Sequence, residues 1–176
     1  MRAGLAAWRK TGARLWLSIF HALEAEGLAK AGHIDAALQA IEQALAISDE
    51  TGERWALAEV LRVKAGLFST TGRSTDEVEA LLMRSKEIAR IQQARSWELR
   101  TTCDLALLWQ AQGRCDEAFN ALHAIYNQFT EGFATADLQG AHALLKSLAP
   151  NWNSHLTESF PQQNGSISDP VGISAA

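Results

Sequence analysis

An all-α solenoid of helical hairpins is the fold this chain predicts, on three observations. Gly32, Gly72 and Gly113 fall 40 and 41 residues apart. The residues before them match: Ala25-x-x-Leu28-x-x-x-Gly32, Ala65-x-x-Phe68-x-x-x-Gly72 and Ala106-x-x-Trp109-x-x-x-Gly113. From about Ala13 to Leu148, apolar residues recur every three or four positions, the spacing that gathers them on one helix face. A fixed period of this length builds stacked hairpins, each burying its apolar face only against its neighbours.

The elements follow in order. Residues 5–12 align with residues 45–52 at the same offset, so the chain opens on the second helix of a half-hairpin. Such an end lacks the polar cap that terminal repeats normally carry. A piece of a longer protein is therefore expected, or else Leu15, Trp16 and Ile19 meet a partner. In the first hairpin, Ile19, Leu23 and Leu28 face Ala37, Leu38, Ile41 and Leu45. The second pairs Leu57, Leu61, Ala65 and Phe68 with Val78, Leu81, Leu82 and Ile88, and Ser74 with Glu77 forms a capping box at its second helix. Leu99, Leu105, Leu108 and Trp109 meet Ala118, Leu122, Ile125 and Phe129 in the third. The recurring glycines suit the left-handed position just past a helix end. After Gly132, Thr135 is expected to cap a last helix with Asp137 in its first turn, and Pro150 to stop it. About three and a half repeats thus occupy residues 1–149. Residues 150–176 turn Ser/Asn/Gln/Gly-rich with no Lys or Arg, the composition of a disordered tail.

Composition narrows the function classes. Hydrophobic residues make up 47% of the 176, enough to fill the core of one domain. A net charge of -4 offers no broad basic face for phosphates, which argues against a nucleic-acid partner. No run reaches the roughly 18 apolar residues that span a bilayer, and Arg9 and Lys10 interrupt any signal-peptide core. A cytoplasmic location without membrane contact is expected. Cys103 and Cys115 have neither metal nor disulfide-framework spacing and read as free thiols.

The small residues Ala25, Ala65 and Ala106, with Leu28, Phe68 and Trp109 three on and Ala37 or Ala118 in the second helix, resemble tetratricopeptide repeats of extended length. Glu79 departs from that pattern near the Ala37 and Ala118 positions. The stretches Thr11-Gly12-Ala13-Arg14-Leu15-Trp16, Thr51-Gly52-Glu53-Arg54-Trp55 and Ala94-Arg95-Ser96-Trp97 resemble repeat junctions of one bacterial group. Tyr126-x-x-Phe129-Thr130-Glu131-Gly132-Phe133 resembles the end of its arrays. That group joins an adenylate/guanylate cyclase or DNA-binding domain and a signal-transduction ATPase to a C-terminal tetratricopeptide array. The resemblance implies a signalling scaffold. It does not carry over either catalytic activity, because the sequence shows neither a Gly-x-x-x-x-Gly-Lys-Ser/Thr loop for the ATPase nor a metal-binding aspartate pair in a strand setting for the cyclase.

In such arrays the first helix of each hairpin lines the concave surface. Counting from the core alanines puts Glu26, Lys30, Glu59, Arg62, Ser69, Thr70, Arg100 and Gln110 there, a candidate groove for a protein or peptide partner. The plain alternative is a solvated face. Self-association through the N-terminal end and a small-molecule effector in the groove are the two competing readings. Arg14, Arg54 and Arg95 recur beside Trp16, Trp55 and Trp97, which suits inter-repeat packing better than ligand binding. His21 with Glu24 is a weak two-ligand pattern, and Cys103 with His123 lacks any orienting third group. No catalysis, cofactor or metal is expected.

Overall fold

The computed structural model describes residues 4, 7, 8, 10–12 and 14–149. Leu5 and the expected tail lie outside them. After helical positions at Gly4, Ala7, Trp8 and Lys10, seven helices follow, and there is no strand among the described residues. They are α1 (Leu17–Lys30), α2 (Ile34–Thr51), α3 (Leu57–Thr70), α4 (Thr75–Ile91), α5 (Arg95–Ala111), α6 (Cys115–Tyr126) and α7 (Ala136–Leu148). Consecutive helices pack as the hairpins α1/α2, α3/α4 and α5/α6, with α7 against α6. The odd-numbered helices also touch along the stack, α1 to α3, α3 to α5 and α5 to α7. They form an inner layer, with α2, α4 and α6 outside it.

The glycine beat has a local cause. Gly32, Gly72 and Gly113 sit at φ 80°, 71° and 79°, where a side chain is disfavoured. The next residue's N–H returns to the carbonyl five residues back: His33 to Leu28 at 2.9 Å, Arg73 to Phe68 at 3.1 Å and Arg114 to Trp109 at 2.8 Å. These are Schellman turns, which satisfy carbonyls a helix end leaves open. The recurring apolar slot in each repeat thus supplies the carbonyl acceptor of its own turn.

The core has two clusters. One joins Ala22, Ala25, Ala37, Ile41 and Ala44 to Val60, Val63 and Leu67. The other runs from Ala65 and Leu82 through Leu99, Leu105, Trp109 and Leu122 to Leu138 and Leu145 of α7. Fully burying each leucine or isoleucine contributes about 2 kcal/mol. The alanines let paired helices approach closely. Ser85, wholly buried on α4, donates to the Ala58 carbonyl at 2.7 Å and meets Thr101 Oγ1 at 2.9 Å, joining α3, α4 and α5.

Several expectations change at this level. Leu23, expected in the core, is 41% exposed on the inner layer. Glu79 does not disturb the second hairpin. One extra residue precedes α4, whose N-cap is Ser74 with the full capping box, so Val78 fills the buried slot. Glu79 then accepts from Trp109 Nε1 at 2.8 Å and from Arg114 at 2.9 Å, tying α4 to the next hairpin. Thr135 occupies the N-cap of α7 but makes no side-chain capping bond.

Trp16, Trp55 and Trp97 stand in line along one edge, ring centroids 6.2 and 5.9 Å apart, the second pair stacked. Glu53 accepts from the Trp16 backbone at 3.3 Å and from Trp55 Nε1, fastening successive repeats. Arg14 pairs with Glu50 at 2.6 Å and Arg54 with Asp49 at 2.7 Å, while Arg95 donates to the Gln128 carbonyl at 3.4 Å. Leu15 and Trp16 are exposed, whereas Ile19 packs on the first cluster.

Candidate functional site in the inner groove

A groove of about 540 Å³ opens on the inner layer between α1, α3, α5 and α7. Arg62 is its centre. The α3 helix presents Glu59 and Arg62 one turn apart, and the guanidinium donates from Nε and Nη2 to the Glu59 carboxylate at 2.8 and 2.9 Å. It also reaches Asp104 on α5 at 3.0 Å and Glu26 on α1 at 3.3 Å. Arg100 on α5 bridges Glu59 at 3.3 Å and Asp137 on α7 at 2.7 Å. One network therefore joins all four inner helices.

Electrostatics follow from burial. Only 15% of the Arg62 side chain is exposed. Burial works against its charge, but the hydrogen bonds and attraction of Glu59 and Asp104 more than offset it, so its pKa is raised. Burial pushes the Asp104 carboxyl above the usual range, Arg62 pulls it back, and the charges of Glu59 and Glu26 push it up again. Burial likewise moves the Cys103 thiol, on the groove wall, up to about 12, which keeps it protonated and weakly nucleophilic. His123 stacks on Phe119 of α6, 5.3 Å between centroids. His21 lies buried within α1, 3.4 Å from Glu24.

Of the sequence-derived candidates, Glu26, Glu59, Arg62 and Arg100 come together in this groove. Ser69 lines a second cavity of about 410 Å³ that shares Arg62, Asp104 and Leu107 with the first. Lys30 is exposed beside the first groove, 4.0 Å from Glu26. Thr70 turns to its own helix, donating to the Leu67 carbonyl at 2.8 Å. Gln110 is half-buried and lines neither cavity. Sequence reasoning missed Asp104, Asp137, Leu23 and Leu107. A signal was present, because Arg100, Asp104 and Leu107 lie at helical spacing on one face of α5.

No family model matches the chain. Over 111 residues it is 33% identical to an uncharacterized protein of Rhizobium meliloti (strain 1021). That stretch takes in 63% of this chain and 11% of the relative, so the chain spans about a tenth of that curated protein's length. No helix among the described residues is long and apolar enough to cross a membrane.

Proposed function

We propose that this chain is a tetratricopeptide-type repeat module that binds a segment of a partner protein in its inner groove and does no chemistry of its own. The observation that carries the reading is the groove wall itself. Leu23 and Leu107 are 41% and 53% exposed there, beside a charged network held on four helices. Apolar contact area next to fixed polar groups is what a peptide-binding groove requires. Rigidity helps, since a surface already held in place loses little entropy on binding. The tetratricopeptide resemblance adds a cytoplasmic regulatory setting, with the module passing partner binding to attached domains.

Panning a displayed random-peptide library on the chain and on a Leu23→Asp, Leu107→Asp double variant tests this. Peptides that enrich on the native groove and lose binding to the variant support the reading. Enrichment of the same peptides on both proteins would place binding elsewhere and defeat it.

A further inference from the structure

We infer that the groove selects a cationic segment, one carrying lysine or arginine beside a leucine-like side chain. The inference rests on the groove reading above and specifies the partner's chemistry. Charge balance is the first support. Glu26, Glu59, Asp104 and Asp137 line the groove against Arg62 and Arg100, so four carboxylates face two guanidiniums. With the exposed Lys30 counted against Glu26, at least one negative charge is left over.

Occupancy of the donors is the second. Arg62 already directs hydrogen bonds from Nε, Nη1 and Nη2 to three carboxylates. Arg100 is spanned between Glu59 and Asp137. An anionic ligand drawn to Arg62 would have to break these bonds and leave a largely buried glutamate without its partners, a costly exchange. One drawn to Arg100 Nη2, which has no hydrogen bond among the described residues, would sit against the Glu59 and Asp137 carboxylates that Arg100 already holds. The acceptors are not saturated in the same way. Asp104 and Asp137 each give one oxygen to a guanidinium and keep the other free of hydrogen bonds among the described residues. Both side chains, like that of Glu26, remain 36% exposed. An ammonium or guanidinium group can join them without displacing anything.

Shape is the third. The charged part of the groove continues past Arg62, Asp104 and Leu107 into the second cavity, whose wall includes Ala65, Gly66, Ser69 and Ala111. These small residues admit a backbone close to α3 and α5. A peptide lying there would place its apolar side chain on Leu107 and its cationic head at Asp104 and Asp137. Lysine and arginine stems also bury methylene groups along such leucines.

The test uses two helical peptides, one of leucine and lysine and its leucine–glutamate counterpart, titrated into the isotopically labelled full chain. The lysine peptide is expected to shift the Leu23, Leu107 and Asp104 resonances. Its affinity should fall about tenfold in an Asp104→Asn, Asp137→Asn variant and decline with added salt. Should that variant misfold, the wild-type shift map still locates the site. Groove binding by the glutamate peptide, equal or stronger, overturns the cationic assignment and leaves the groove reading standing. Shifts confined to other surfaces, or absent with both peptides, overturn both.

Discussion

The guanidinium of Arg114 lies over the Trp109 indole, 4.9 Å from the ring centroid, while the Arg114 N–H donates to the Trp109 carbonyl at 2.8 Å. Arg73 repeats the pairing over Phe68 at 5.1 Å, one repeat earlier. The Schellman turn brings these two positions together, so the aromatic that packs the hairpin also receives the charge that ends the helix. At Trp109 a third contact is added, from Nε1 to Glu79.

Replacing Trp109 by phenylalanine keeps an aromatic ring but removes that donor together with part of the buried indole surface. The expected loss is about 1 to 3 kcal/mol of unfolding free energy, against about 3 to 5 kcal/mol for Trp109→Ala, because the side chain is 3% exposed. Urea unfolding midpoints separate the two. Equal midpoints for Trp109→Phe and wild type would mean that the bond to Glu79 adds nothing net.

Successive repeat junctions put Gly52 at φ 69° and Gln93 at φ 57°, the same left-handed turn with and without a side chain. Space around Gly52 is open, so a methyl group there meets no neighbour and the cost is conformational. Gly52→Ala should destabilise by about 1 kcal/mol. Gln93→Gly should change stability by roughly 0 to 1 kcal/mol in the favourable direction, since glycine's greater loss of chain entropy offsets part of the relief. A Gly52→Ala protein more stable than wild type would refute this account.

Particular residues show what could be read from the chain and what could not. The hairpins were legible because turn chemistry is local: Gly32, Gly72 and Gly113 each need a backbone only glycine adopts freely. The capping box of Ser74 and Glu77 was legible for the same reason. Leu23 was not, since a leucine at helical spacing looks identical whether it faces the core or a groove. The Ser85–Thr101 contact depends on how α4 and α5 cross, which no single-helix pattern encodes. At the site, Arg62 and Arg100 could be placed on the inner helices. Beyond Glu59 on the same helix as Arg62, their carboxylate partners come from other repeats and from α7, so the contribution of Asp104 and Asp137 emerged only after packing.

Glu59 is 4% exposed and bonds both groove arginines. Glu59→Gln removes the charge that holds them. Arg62 would keep Asp104 and Glu26, so the cost should be about 2 kcal/mol, below the 3 to 5 kcal/mol of an abandoned buried charge. Lys30→Ala, at the exposed margin, should stay within about 0.5 kcal/mol of wild type. Thermal unfolding monitored by circular dichroism checks both, and a Glu59→Gln protein as stable as Lys30→Ala would show that the network is idle.

Glu98 offers a test in which pH itself is the variable. The residue is 9% exposed on α5, and burial raises its pKa despite the pull of Lys86 and Arg90, with Glu87 adding a further push upward. A carboxyl whose folded pKa is raised favours the protonated form. Its contribution to stability is therefore present below the ordinary glutamate value of about 4.3 and is lost as pH rises through the folded value. Glutamine is neutral throughout and similar in shape. Glu98→Gln should then melt above wild type near neutral pH, and the two curves should converge as pH falls to about 4. Asp104 shifts in the same direction but is common to both proteins, so it cancels in the difference. A gap in melting temperature that stays constant across the whole pH range would assign the effect to amide packing and not to the buried charge.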